Sequence, residues 1–248
     1  MITKAHKKWS LDPALPITLQ ITRILRERII ENDLAPGDRV SETDISIAYG
    51  VSRQPVRESF IRLSDQGLLV VRPQRGTFIS QINYVSVLDA RFLREAIEAD
   101  IIKILALNSD AALCNELERQ LAAQRECDDN DAQKFIALDD LFHQTMADAA
   151  GKIGTWKQIE GLKTQMDRVR YLALGKFPVA NLVKQHATVV SNIKKQNVAE
   201  ADRSIRLHLR EVLRDLPQIV AANPDFFELP EGRVPTPVNA PIQQGENQ

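Results

Sequence analysis

The sequence has no apolar run long enough to cross a bilayer and no secretory leader pattern, so a membrane protein and an exported one are both set aside and a cytoplasmic location is expected. Cysteine is scarce: Cys114 and Cys127 are the only two in 248 residues. They fall on what reads as one helix, about 20 Å apart by the helical rise, too far to pair within the chain. Reduced thiols are expected. Proline is almost missing from the middle, where Pro178 is the only one between Asn83 and Pro217. Charge of either sign is not in excess, with 32 Lys and Arg against 33 Asp and Glu. It is unevenly spread, however. Residues 1–80 carry 12 basic against 9 acidic side chains and the remainder 20 against 24, which places the positive field at the N-terminal end.

What is present begins with Val51 to Phe60, VSRQPVRESF. Ser52 is an N-cap type and Pro55 falls in a first turn, where a missing N–H costs nothing. Val56, Phe60 and Leu63 recur at helical spacing for burial, leaving Arg53, Gln54 and Arg57 free near the helix N-terminus. Arg53 and Arg57 lie one turn apart, and each offers a planar fork suited to phosphate or guanine, while Gln54 suits adenine. A solvated basic turn is the plain alternative. The surroundings argue against it. Glu42 to Tyr49 reads as a short helix capped by Ser41, with Asp44 three residues on and Gly50 at the tight turn. Upstream, Ile21, Ile24, Leu25 and Ile29 mark an amphipathic helix ending at Asn32 before Pro36 and Gly37. Downstream, Leu68 to Arg72 and Thr77 to Ser80 flank Pro73-Gln74-Arg75-Gly76, a hairpin turn with Arg75 at its tip. Gly76 lets backbone come close to a phosphate or the minor groove. The order is that of a winged helix-turn-helix.

The segments Leu34-Ala35-Pro36-Gly37-Asp38, VSRQPVRESFIRLSDQGLL and RPQRGTF resemble the N-terminal domain of the GntR family of bacterial transcription regulators. The resemblance implies operator DNA as a partner, with Arg53, Gln54, Arg57 and Gly76 in contact with it. At Thr43 relatives often carry an arginine that touches the DNA backbone. Thr43 itself can donate one hydrogen bond there.

From Asn83 to Pro217 strand signals are nearly absent and helical stripes recur, broken near Asn108, Asp128 to Asn130, Gly151, Pro178 and Asn197. A six-helix antiparallel bundle is expected. The overall fold class is mainly α: a tail over 1–14, a winged helix-turn-helix over 15–80, a linker over 81–84, a bundle over 85–222 and a mostly disordered proline-bearing tail over 223–248.

The chain holds four histidines. His6 falls in the N-terminal tail. His186 sits in a stripe with Leu182, Val189 and Ile193, and His208 in one with Ala201, Ile205 and Val212. His143 borders Phe135, Leu138, Phe142 and Met146, with Asp139 one turn earlier on its side. Three imidazoles and a carboxylate projecting inward are satisfied together by a divalent metal. Four unrelated buried groups, each hydrogen-bonded alone, are the other reading. Asp139-Asp140-Leu141-Phe142-His143, Gln185-His186 and His208-Leu209 resemble the metal positions of the FCD effector domain in the FadR-type branch of the GntR family. This implies Asp139, His143, His186 and His208 as ligands, zinc first and nickel or another divalent ion next. It also implies a small carboxylate effector, with a sugar acid as the closest likeness. Arg94 and Glu98 share a face with Val87, Ile101 and Leu105. Arg94 is therefore read as the carboxylate grip, oriented by Glu98 or Asp139, against a simple Arg94–Glu98 ion pair. Arg170 flanks a stripe of Ile159, Leu162, Met166 and Val169 as a second candidate, and Arg168 is read as pointing away. The expected function is a homodimeric, ligand-responsive DNA-binding regulator. The other class weighed is a metal-dependent hydrolase with an accessory DNA-binding module, which four protein ligands and the absence of a spare histidine base disfavour.

Overall fold

The computed structural model describes residues 10–128, 131–173 and 179–231. The chain divides into two compact units, one running to Ile82 and joined by Asp225–Glu228, the other over Asn83–Pro224.

In the first unit helix α1 (Ile17–Ile30) buries Ile21, Ile24, Leu25 and Ile29, the stripe its spacing sets. It ends two residues before Asn32, which adopts φ 59°. Helix α2 (Glu42–Tyr49) starts at Ser41, whose hydroxyl accepts from Asp44 N at 3.0 Å, and stops at Gly50 in the left-handed region, φ 64°. Helix α3 (Arg53–Asp65) follows and buries Val56, Phe60 and Leu63 against α1. Ser52 occupies its N-cap, but the hydroxyl makes no capping bond. Strands β2 (Leu69–Arg72) and β3 (Gly76–Ile79) form the wing hairpin, with Arg72 opposite Gly76. One strand was not expected: β1 (Arg39–Val40) pairs antiparallel with β3, Arg39 facing Phe78, and gives the order β1-β3-β2. Residues 81–84 are not a plain linker, since β4 (Ile82–Asn83) is a strand and Tyr84 already lies in a helix.

The second unit holds seven helices among its described residues, where six were expected. They are α4 (Tyr84–Leu107), α5 (Ala111–Arg125), α6 (Ala132–Ala149), α7 (Ile153–Leu162), α8 (Thr164–Ala173), α9 (Ala180–Lys194) and α10 (Val198–Ala222). The extra break falls at Lys163, between α7 and α8, two residues after Gly161. Asn83, Asp110, Asp131 and Asn197 cap α4, α5, α6 and α10 through their side chains. The expected break at Pro178 lies outside the described residues, as does His6. Pro217 does not end the bundle, because α10 runs through it to Ala222. Cys114 and Cys127 are buried and form no disulfide, Cys127 lying beyond the end of α5. The core joins Ile102, Leu105, Leu117, Phe142, Val189 and Ile205 across five helices.

Where a disordered tail was expected from residue 223, Pro224–Phe226 make a 3-10 turn and β5 (Phe227–Glu228) pairs with β4. Phe227 is buried, and Gln81 Nε2 donates to the Asp225 carbonyl at 2.9 Å. These contacts use non-local partners that tail composition does not reveal. No helix among the described residues is long and apolar enough to cross a membrane.

The two serine caps differ in a way that urea unfolding can read. Ser41→Ala should lower stability by about 1 kcal/mol through the lost capping bond. Ser52→Ala should cost less, since no such bond is lost there. Equal losses would contradict this assignment of the caps.

Candidate functional site

Two groups of residues stand out, one in each unit. In the first, Arg53, Gln54 and Arg57 are all exposed in the opening turns of α3, Thr43 is exposed in the first turn of α2, and Arg75 is exposed at the wing tip. Arg53 Nη2 rests 3.2 Å from Glu42 Oε2 and Gln54 Nε2 donates to Glu58 Oε1 at 3.1 Å. Solvent-exposed pairs of this kind are weak and exchange readily for a stronger anion. Gly76 takes φ 108°, and a Cβ there would stand 3.0 Å from Arg39 Nε. The close approach that glycine permits is therefore to the Arg39 guanidinium. Sequence reading passed over Arg39, because a two-residue strand has no periodicity to detect. The pairing sets this exposed arginine beside the wing.

In the second unit Asp139 and His143 from α6, His186 from α9 and His208 from α10 are all buried, with one ligand atom from each lying within 4.8 Å of all the others. His186 Nε2 is 3.0 Å from His208 Nε2, which is 3.3 Å from His143 Nε2. The Asp139 carboxylate lies 3.4 Å from His186 Nε2 and 3.9 Å from His143 Nε2. Ligand bonds of about 2.0–2.1 Å set at right or tetrahedral angles would put neighbouring donors at about these spacings.

The outer nitrogens decide what the inner ones do. His186 Nδ1 faces Gln124 Oε1 at 2.9 Å, and the Gln124 amide nitrogen donates to the Leu138 carbonyl at 3.3 Å. His208 Nδ1 faces Gln185 Oε1 at 3.1 Å, and the Gln185 nitrogen donates to Glu211 Oε2 at 3.0 Å. Both amides thus turn their oxygens to the rings, so both Nδ1 atoms donate. His143 Nδ1 lies 2.5 Å from Glu98 Oε2, and neither atom has another hydrogen-bond partner. All three imidazoles are held with the proton outside and the Nε2 lone pair inside. Three lone pairs converging in a buried space repel one another, and a cation between them removes the repulsion. Phe142, stacked on His186 at 4.4 Å, keeps the surroundings apolar. Gln124 was missed by sequence reading, although it continues the stripe of Leu117 and Leu121 with a polar group, which is the available signal.

Beside the cluster opens a cavity of about 410 Å³ whose wall includes Asp139, His208, Arg94 and Arg170. Arg94 Nε pairs with Glu98, so the simple ion pair exists, yet Arg94 Nη2 is buried with no partner. Arg170 is placed differently: its Nη atoms hold Asp139, Asp140 at 3.1 Å and Asp167 at 3.3 Å. Lys163 Nζ bridges Asp140 at 2.7 Å and Asp167 at 3.0 Å. Arg168 does not point to solvent; it is fully buried beside Gln165, and burial lowers its pKa to about 10.

Burial alone would push the Asp139 carboxyl up, but the Arg170 guanidinium holds it well below the usual carboxylate range. Glu98 is likewise drawn down to about 2 against its burial, by the Arg94 guanidinium and by a hydrogen bond from the His143 ring. With neutral imidazoles, Arg94, Arg170 and Lys163 face Glu98, Asp139, Asp140 and Asp167, a surplus of one negative charge. A divalent ion turns that surplus into one positive charge. One carboxylate then neutralises it.

Comparison with known proteins agrees with this division. The FCD domain profile matches residues 89–211, and that of the bacterial regulatory proteins, gntR family, matches residues 17–79. The chain is 37% identical over 219 residues to the HTH-type transcriptional repressor RspR of Escherichia coli strain K12, spanning 88% of this chain and 96% of that protein. Of solved structures, E. coli McbR/YncC has a TM-score of 0.67 at 18% identity, covering 82% of this chain and 98% of its own. A putative GntR regulator from Rhodococcus sp. RHA1 has 0.65 at 21% identity, covering 83% and 98%. At these identities the solved structures speak for the fold.

The buried imidazoles give the metal-free protein a pH dependence. Burial lowers His186 to about 3 from the 6.5 of an exposed ring and pushes His208 in the same direction. Below pH 6.5 the unfolded chain takes up protons that the folded chain refuses, so stability is greatest above 6.5 and falls as the pH drops toward 3. Chelator-treated protein should therefore melt at progressively lower temperature between about pH 7 and pH 5. A flat melting profile over that range would contradict neutral, buried rings.

Proposed function

As a member of the GntR family of bacterial regulatory proteins, with an FCD domain following its helix-turn-helix head, this chain is a transcription regulator and not an enzyme. We propose that its bundle binds a divalent metal ion and a small carboxylate effector, and that their binding modulates the affinity of the head for operator DNA.

The observation that carries this reading is the inward convergence of three Nε2 lone pairs beside a cavity lined by Arg94, whose buried Nη2 has no hydrogen-bond partner. An ion held by Asp139, His143, His186 and His208, zinc first by its ligand types, supplies a fixed positive charge at the cavity floor. Gln124, Gln185 and Glu98 keep the three rings in the ligating tautomer. Arg170 orients Asp139 and is already engaged by three carboxylates, whereas Arg94 keeps a buried Nη2 without a partner and is the guanidinium assigned to the effector. Glu98 fixes Arg94 and His143 together, so the anion grip and one ligand share a support. The groups that a hydrolase would need as a base, Asp139 and Glu98, are both tied to arginines as deprotonated acceptors.

On the DNA side, Arg53, Gln54 and Arg57 face base edges in the major groove, with Thr43 on the backbone and Arg75 with Gly76 at the wing. A homodimer presents two heads to a two-fold site. The effector changes DNA binding only to the extent that it binds DNA-competent and DNA-incompetent arrangements unequally.

The test uses zinc-loaded full-length protein and an operator selected by the protein itself from random duplexes. Arg53→Ala and Arg57→Ala should each weaken that operator by about 1–3 kcal/mol if bidentate base contacts are lost. Their melting temperatures should not change. Wild-type affinity in both would remove the recognition-helix role. His186→Ala should lose bound zinc by elemental analysis and lose the rise in melting temperature that zinc gives the wild type. If the wild type retains no ion and zinc leaves its melting temperature unmoved, the metal reading fails.

A further inference from the structure

Resting on that reading of the bundle cavity, we propose that its effector is a monocarboxylate with an apolar ring or branched chain as its body and one hydrogen-bond donor at the far end. A polyhydroxylated sugar acid does not match the walls.

The two ends of the cavity differ in exposure. Asp139, His208 and Arg94 are buried, while Asn181 and Arg214 are exposed and mark the open side. The other lining is dominated by Phe135, Met166, Leu182, Leu209, Val212 and Ile219. Hydroxyls laid against such a wall give up water and gain no partner, whereas hydrocarbon laid there is removed from water. At the buried end the acid group has one guanidinium nitrogen without a partner to meet, that of Arg94, while Arg170 is already engaged by three carboxylates. Around the ion site alone, apart from Glu211, Asp215 and Arg214 at the open side, a divalent ion leaves one positive charge for a carboxylate to meet.

At the open side the acceptors are unequal. Glu211 already accepts from Asn181 Nδ2 at 3.1 Å and Gln185 Nε2 at 3.0 Å, and pairs with Arg214 at 2.5 Å. Asp215 has a single long contact, 3.5 Å to Arg214 Nε, and burial pushes its carboxyl up. A hydroxyl or amine on the ligand gives Asp215 the donor it lacks. Sequence likeness pointed to a sugar acid because family motifs report the ligands and the grip, while specificity resides in aliphatic positions that any core also uses.

Titration calorimetry of the zinc-loaded, full-length protein with acetate, phenylacetate, 4-hydroxyphenylacetate and D-gluconate tests the assignment. Acetate should bind weakly, and phenylacetate at least about tenfold tighter, from burial of its ring. 4-Hydroxyphenylacetate should be tighter again, and gluconate no better than acetate. Asp215→Ala should abolish the advantage of the hydroxyl while leaving phenylacetate affinity unchanged. Leu182→Gln should weaken phenylacetate and leave acetate as it was. If acetate binds but gluconate equals or exceeds phenylacetate, this inference falls and the carboxylate reading stands. If none of the four binds, both fall.

Discussion

The arrangement of the bundle depends on one electrostatic constraint, which is that three imidazole lone pairs are brought to a point inside a core that offers them no proton. Gln124, Gln185 and Glu98 enforce it from outside by taking the Nδ1 protons. The amide groups cannot turn to relieve the crowding, because their own nitrogens are held by the Leu138 carbonyl and the Glu211 carboxylate. Each ring sits on a different helix, so the constraint fixes α6, α9 and α10 relative to one another. It also explains why Phe142 and Trp156 flank the rings, since an apolar surround strengthens every charge within it.

A second consequence concerns α8, which is polar in sequence yet buried along Thr164 to Val169. Such a helix is unfavourable in a core unless its charges find partners. They do: Asp167 and Arg170 meet Lys163 and Asp140, and Arg170 reaches Asp139. The carboxylate of the buried cluster on α6, Asp139, is thus the end of a chain of ion pairs that begins at the seam between α7 and α8. Arg170 read from sequence as a second effector contact is better understood as part of that chain. Removing one member of a buried pair leaves its partner charged and unmatched, which costs more than the pair contributes.

How much of this was legible in the sequence follows from the range of the interactions. The Ser41 cap, the positive φ at Gly50 and the wing turn are set by neighbours within four residues, and the head could be read almost to its boundaries. The convergence of Asp139, His143, His186 and His208 was legible too, because a polar residue in an apolar stripe is conspicuous at His186 and His208. Arg39 as a wing neighbour, the break at Lys163 and the pairing of β5 with β4 were not, since each depends on partners far along the chain. Lys163 illustrates the limit: its type announces nothing, and only its partners Asp140 and Asp167 give it meaning.

The same holds for the frame on which the effector grip is mounted. Arg94 and Glu98 lie on α4, while His208 and the cavity residues Leu209, Val212 and Asp215 lie on α10, so Arg94 and the facing wall belong to the two longest helices of the bundle. Between them Glu95 is buried and receives Arg91 from its own helix, with Arg206 at 3.2 Å and Arg210 at 2.9 Å from α10. Hydrocarbon packing alone tolerates small slips of one helix along another. Forked guanidinium bonds to a buried carboxylate do not, because a shift of an ångström breaks their geometry. The α4–α10 seam therefore holds register, and the distance from Arg94 to the opposite wall is set by it. A cavity spanning a fixed seam selects its ligand by length and by the chemistry of its two ends.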